Sequence, residues 1–256
     1  MTMRLTKLEH ACLMLERSTD RLIIDPGKLT TPLTECANVA AVVVTHEHDD
    51  HWTPEQIGRI LAKSPKALVL STPSVIDALG DADADPRQLR AVAPGDALEV
   101  GPFRLRFHGG AHAEIHRSIP RVDNLGVLVN EAFYYGGDAY DAPTDASIDT
   151  LAVPSYGPWM RIADSIDYVL AVRPRLVVPV HEMLLARPGK ELAVQRLADA
   201  AEEAGGRLVD LQPYDAADIA DVAPAAAEAP AAAASANATA TPAVRAAAAP
   251  TTPTAS

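Results

Sequence analysis

The sequence of 256 residues is poor in cysteine: Cys12 and Cys36 are the only two, and they form no Cys-x-x-Cys pair. Two isolated thiols argue against a disulfide-stapled fold and against a zinc site built from thiolates, and they suit a reducing cytoplasm. No apolar stretch approaches the roughly 20 residues that cross a bilayer, and the N-terminal residues lack the apolar core of a signal peptide. The sequence therefore predicts a soluble cytoplasmic protein with no transmembrane segment.

Basic residues are also scarce, since 22 Lys and Arg stand against 34 Asp and Glu, a formal net charge of −12. No nucleic-acid partner is expected, because phosphate backbones are bound through a surplus of Lys and Arg. A small anionic substrate is still allowed, because bound metal ions can reverse the local field. The expected partner is thus a small-molecule substrate, and a homo-oligomer stays open.

One dense polar motif stands out, Thr-His-Glu-His-Asp-Asp-His-Trp at residues 45–52, directly after an apolar run at 39–44. A β-branched run of that length predicts a buried strand. Three imidazoles and two adjacent carboxylates at its end would be costly to bury without a purpose, and they are usual ligands of zinc and similar ions. The spacing lets His46 and His48 face one ion while Asp50 and His51 turn towards a second. The alternative is a solvated acidic loop whose histidines cluster by chance.

Apolar periodicity and chain breakers predict alternating strands and helices. Thr53, Pro54 and Glu55 form a helix-start signal, because Thr is a good N-cap and Pro suits the first helical position. Strands are predicted at 5–17, 20–25, 39–45, 67–70, 126–129, 132–135, 151–154, 176–180 and 207–211, with shorter ones within 91–107, and helices at 53–63, 72–79, 162–171 and 190–204. Two packed sheets with helices outside would satisfy this order.

From residue 222 onward Ala, Pro, Thr and Ser dominate, and five prolines interrupt the alanine runs. Such a composition cannot bury a core. The sequence therefore predicts a folded domain at residues 1–221 and a disordered tail at 222–256.

The His-x-His-x-Asp-His spacing of the motif resembles the metallo-β-lactamase superfamily, and the resemblance extends over about residues 3–211. It implies an α+β fold, a four-layer αββα sandwich of two mixed β-sheets flanked by helices. His181 closes an apolar strand, as His46 does, and Asp138 follows a strand and two glycines. The resemblance implies that one ion is held by His46, His48 and His112, that the other is held by Asp50, His51 and His181, and that Asp138 bridges them.

The same resemblance implies that the domain at residues 1–221 is a metal-dependent hydrolase. It would bind two divalent ions, with zinc as the first choice and manganese or iron as alternatives. Two ions sharing a water lower its pKa, and Asp50 could orient that water. The chain lacks a Gly-x-Ser-x-Gly elbow, in keeping with a metal-activated nucleophile. The expected target is an ester-type bond in a small molecule, a lactone or a phosphodiester. A non-catalytic metal-binding sensor and an iron-dependent oxidoreductase are the alternatives.

The segments Glu9-His10-Ala11 and Asp25-Pro26-Gly27 are similar to the branch containing ascorbate-6-phosphate lactonase and N-acylphosphatidylethanolamine phospholipase D. The match is partial, because Glu9 and Ala11 replace a glycine and a serine of that branch. His10 is predicted either to reach the metal pocket or to be packed. Asp25 is expected to support the metal loop by hydrogen bonds.

Three further features stay open in the sequence. His116 is a candidate catalytic residue, for substrate contact or proton transfer, with a structural role as the alternative. His108 lies on a strand and is expected to be packed or to support the site. The loop at 155–161, with Trp159 and Arg161, joins Trp52 and Tyr140 as a candidate substrate wall or a self-association surface.

Overall fold

The computed structural model describes residues 2–82 and 84–221, and the predicted tail at 222–256 lies outside them. One seven-stranded sheet has the strand order β14-β1-β2-β3-β4-β5-β6. Its strands are β1 (Thr2–Lys7), β2 (Leu13–Arg17), β3 (Asp20–Ile24), β4 (Val39–Val43), β5 (Leu68–Ser71), β6 (Leu89–Ala91) and β14 (Ala216–Ala220). Pairing is antiparallel from β14 to β3 and parallel from β3 to β6.

The second seven-stranded sheet has the order β13-β12-β11-β10-β9-β8-β7. Its strands are β7 (Ala97–Val100), β8 (Phe103–Gly109), β9 (Leu125–Val129), β10 (Phe133–Tyr135), β11 (Thr150–Pro154), β12 (Leu176–Val180) and β13 (Arg207–Leu208). The helices are α1 (Pro54–Lys63), α2 (Pro73–Asp81), α3 (Ile162–Val172) and α4 (Arg187–Glu203). Across the described ranges, no helix combines the length and the apolar character that a membrane crossing requires.

Each sheet has two apolar faces, because successive side chains of a strand point to opposite sides. Val43 packs in a core between the sheets, whereas its neighbour Val42 packs outward against Ile57 and Ile60 of α1. On the second sheet, the outward face packs against α3 and α4. The three apolar layers separate four structural layers, which confirms the predicted αββα sandwich.

The predicted strand at 5–17 is wrong in one respect, because β1 and β2 are separate strands. Leu8 N–H donates to Cys12 O at 2.9 Å and closes a turn between them. Leu8, Ala11 and Cys12 are buried in that turn, so their apolar character continued the strand pattern and hid it. His10 sits in the turn with a φ of 56°.

The last predicted strand is also shorter than expected, and a further one follows it. Only Arg207–Leu208 forms β13, whereas β14 pairs antiparallel with β1. The sequence Ala-Ala-Asp-Ile-Ala of β14 has low β propensity. It is a strand because the edge of β1 offers unpaired backbone groups.

Candidate metal centre

The centre lies where strand ends of both sheets meet. The loop after β4 carries four of the predicted ligands, the loop after β8 carries His112, the turn after β10 carries Asp138, and His181 follows β12. Two backbone hydrogen bonds join the sheets there, from Leu125 N–H to Thr45 O (2.9 Å) and from His181 N–H to His10 O (3.0 Å). Chain segments far apart in sequence are thereby fixed around one point.

Potential ligand atoms of all seven predicted metal residues fall into three groups, each with its atoms within 4.8 Å of one another. The groups are His46, His48, His112 and Asp138; His51, Asp138 and His181; and His10, Asp50 and His181. Asp138 Oδ2 lies 3.3 Å from both His112 Nε2 and His181 Nε2, and Asp138 Oδ1 lies 3.3 Å from His51 Nε2. Asp138 is therefore placed between two groups of nitrogen atoms.

The ring orientations of His51, His112 and His181 are set by hydrogen bonds on the far side of each ring. His112 Nδ1 lies 2.6 Å from Ala113 O, and His181 Nδ1 lies 2.6 Å from Tyr156 O. His51 Nδ1 lies 2.7 Å from Asp25 Oδ2. Carbonyl and carboxylate oxygens only accept, so in each ring Nδ1 is the donor. In the neutral ring, Nε2 then presents its lone pair to the centre.

A small polar network buried under the loop fixes Asp25. Its Oδ1 accepts from Thr45 N–H, and its Oδ2 accepts from Thr45 Oγ1, each at 2.8 Å. Because the Thr45 hydroxyl proton goes to Asp25, its oxygen accepts from His46 Nδ1–H at 3.0 Å. His46 thus also turns Nε2 inward, as the supporting role predicted for Asp25 requires.

Asp138 is held on both its backbone and its side chain. Its N–H donates to Asn124 Oδ1 at 3.1 Å, and Trp159 Nε1–H donates to its Oδ2 at 2.8 Å. Gly137 before it has a φ of +64°, and a Cβ there would lie 2.9 Å from the Thr45 Cβ. The turn therefore requires glycine, which brings the Asp138 backbone against the metal loop.

The charges inside the centre are strongly coupled. Burial raises the pKa of Asp138, but the nearby His51 and His181 outweigh it and hold that pKa well below its usual range. Burial lowers the pKa of His181, yet Asp138 and Asp50 raise it to about 9. Burial and neighbouring histidines hold the pKa of His46 well below its usual value. The centre thus contains ionised carboxylates beside imidazoles of unequal basicity.

Four buried atoms at the centre have no hydrogen-bond partner: His51 Nε2, His112 Nε2, His181 Nε2 and Asp138 Oδ1. Such atoms are rare in proteins because each one costs desolvation energy. These are electron-pair donors of the types that zinc and similar divalent ions prefer, and they converge. The residues present fit one or two metal ions.

A family model described as "Beta-lactamase superfamily domain" matches residues 4–181. The chain belongs to this superfamily. Protein Rv0786c of Mycobacterium tuberculosis is 32% identical over 202 residues, which cover 77% of this chain and 92% of that relative. The finer branch named from the sequence stays a prediction.

Two solved structures illustrate the superfamily fold. Igni18, a metallo hydrolase of the archaeon Ignicoccus hospitalis, has a TM-score of 0.65 at 19% identity and covers 85% of this chain and 98% of its own. CmlA, a diiron β-hydroxylase of Streptomyces venezuelae, has a TM-score of 0.60 at 15% identity, with 84% of this chain and 53% of that chain covered. At these identities the likeness concerns the fold alone.

Several side chains that the sequence marked as candidates lie outside the cluster of predicted metal ligands. His116 is exposed, and its Nδ1 lies 2.7 Å from Ser118 Oγ. His108 is half-buried beside Tyr134. Arg161 pairs with Asp164 at the start of α3.

The aromatic candidates lie in two different places. Trp159 is 8% exposed and packs near His112 and Tyr140, with ring centroids 5.7 and 5.5 Å away. Trp52 is buried in the layer under α1. No sequence pattern indicated that Asn124 supports Asp138, because an isolated asparagine belongs to no recognisable motif. The sequence also left the role of His10 open.

Proposed function

We propose that this protein is a metal-dependent hydrolase that uses a metal-activated water on an ester-type bond, a lactone or a phosphodiester, of a small molecule. The observation that carries the proposal is the convergence of four imidazole Nε2 atoms around Asp138, with each of these four rings oriented by a partner on its far side. Zinc is the first choice for the ions, because it suits imidazole and carboxylate ligands.

The first ion would be held by His46, His48 and His112, the second by Asp50, His51 and His181, and Asp138 would serve both. Two divalent ions bound here would lower the pKa of a shared water towards neutrality and polarise the scissile group.

The protein's own residues would supply orientation and proton transfer. The side chain of Asp50 is 20% exposed, so it can accept a hydrogen bond from an entering water and hold it for attack. His116, on the loop that leaves His112, would contact the substrate or take up a proton. Trp159 and Tyr140 would form an apolar wall beside His112.

An iron-dependent oxidation is the second candidate, because imidazole and carboxylate ligands also bind iron; CmlA, which shares the fold, is a diiron enzyme. A sensor without turnover is a third. The complete set of seven ligand candidates supports the enzyme, since no position of the predicted set lacks a metal-binding side chain.

The test is metal analysis combined with a substrate panel. Protein purified without added metal should contain zinc or manganese rather than iron, and a chelator should abolish hydrolysis of a lactone or a phosphodiester. A β-lactam is included in the panel as the amide comparison. His46→Ala and Asp138→Ala should lose both metal and activity, while His108→Ala, a histidine outside the cluster, should lose neither. Full metal retention by His46→Ala or Asp138→Ala would overturn the proposal.

A further inference from the structure

His10 differs from His51, His112 and His181 in how its two ring nitrogens are used. It is fully buried, and its ring centroid lies 3.9 Å from that of His181. Its backbone carbonyl accepts from His181 N–H, and its φ of 56° places it in the left-handed region. Strained backbone of this kind costs of order 1–3 kcal/mol and clusters at functional sites.

The protonation of the ring follows from its partners. His10 Nδ1 lies 3.3 Å from Met183 N, whose N–H can only donate, so Nδ1 accepts. The proton of the neutral ring is therefore on Nε2, which lies 3.2 Å from Asp50 Oδ2. A carboxylate oxygen accepts, so His10 donates to Asp50.

His10 has no lone pair left for a metal, because one nitrogen carries a proton and the other accepts from Met183. His51, His112 and His181 have the opposite arrangement, with Nδ1 donating outward and Nε2 buried without a partner. Asp50 Oδ2 also lies 3.5 Å from His181 Nε2. The donor on His10 thus holds the Asp50 carboxylate against the second ion position.

We infer that His10 is a positioning residue that orients Asp50 for the second ion and is not itself a ligand. The inference rests on the proposed metal centre. Loss of the His10 donor should therefore weaken binding of the second ion, at Asp50, His51 and His181. It should not change binding of the first ion, at His46, His48 and His112.

The experiment compares His10→Gln with His10→Phe. A glutamine amide can place an N–H near the position of imidazole Nε2, whereas phenylalanine keeps the ring shape without a donor. Metal-free protein is titrated with Zn²⁺ against a competing chelator, and the visible spectrum is recorded after loading with Co²⁺. His108→Phe is the matched control, since it removes a half-buried histidine outside the cluster.

His10→Phe should lower the affinity for the second ion about 10- to 100-fold, as mutation of a residue that supports a metal ligand typically does. The affinity for the first ion should not change. His10→Gln should recover most of that loss. If the phenyl ring prevents folding, His10→Asn, too short to reach Asp50, should show the same loss.

Equal loss of the second ion in His10→Gln and His10→Phe, with an altered Co²⁺ spectrum in both, would make His10 a ligand and overturn the inference. Unchanged affinity in His10→Phe would make it a packing residue and overturn it as well. Wild-type protein that binds neither Zn²⁺ nor Mn²⁺ would instead refute the proposed function.

Discussion

The indole of Trp159 offers a sharp test of how the centre is built. Its N–H donates to Asp138 Oδ2 at 2.8 Å, and both groups are buried. Trp159→Phe removes that donor and keeps most of the ring. A hydrogen bond to a charged group contributes about 1.5–3 kcal/mol, and 1.4 kcal/mol is about a factor of ten in an equilibrium constant.

Asp138 faces both groups of imidazoles, so loss of the hydrogen bond from Trp159 should weaken the binding of both ions. We expect the affinity of metal-free protein for Zn²⁺ to fall by about 10- to 100-fold, measured by competition with a chelator. Hydrolytic activity at limiting Zn²⁺ should fall in parallel and recover when Zn²⁺ is in excess.

Trp52→Phe is the matched control. Trp52 is buried to the same degree, 9% exposed against 8%, but its Nε1–H donates to the backbone carbonyl of Glu47 at 3.2 Å. It should change Zn²⁺ affinity far less than Trp159→Phe. Equal effects of the two substitutions would refute the reasoning, because they would show that the hydrogen bond to the Asp138 carboxylate matters no more than one to a backbone carbonyl.

Gly137→Ala should cost clearly more stability in urea unfolding than Gly95→Ala, because both have positive φ but a Cβ meets protein atoms only at Gly137. Asp25→Asn should destabilise by about 3 kcal/mol in urea unfolding, because it breaks a buried charged pair with His51. The metal-free pKa of His181 is raised to about 9, so its proton must leave on metal binding. Calorimetry in buffers of different ionisation enthalpy should detect proton release at pH 7, and affinity for Zn²⁺ should rise from pH 7 to 9; no pH dependence would contradict this.

Much of the fold could be predicted because its signals are local. Thr53 caps α1 by accepting from Gln56 N–H at 3.2 Å, as the Thr-Pro-Glu signal predicts. His46, Asp138 and His181 each follow the end of a predicted strand, which favours a site built from loops at one edge of the fold. The structure brings these side chains together. Whether each of them binds metal stays a prediction.

The rest depends on contacts between distant parts of the chain. The ring of His10 takes its role from Met183, which is 173 positions away, so no local pattern could distinguish a donor from a ligand. The strand β14 depends on its pairing with β1 at the other end of the domain. For His116, which lies outside the cluster, both a substrate contact and a structural role remain predictions.

The centre also joins the two halves of the sandwich. Asp50 and His51 follow a strand of the first sheet, whereas His181 follows one of the second. An ion held by all three binds the folded state and not the separated strands, so it stabilises folding according to its concentration relative to its dissociation constant. At 100 times that constant the gain is about 2.7 kcal/mol, a large part of a typical domain's stability. Loss of metal should therefore loosen the packing of the sheets as well as remove activity.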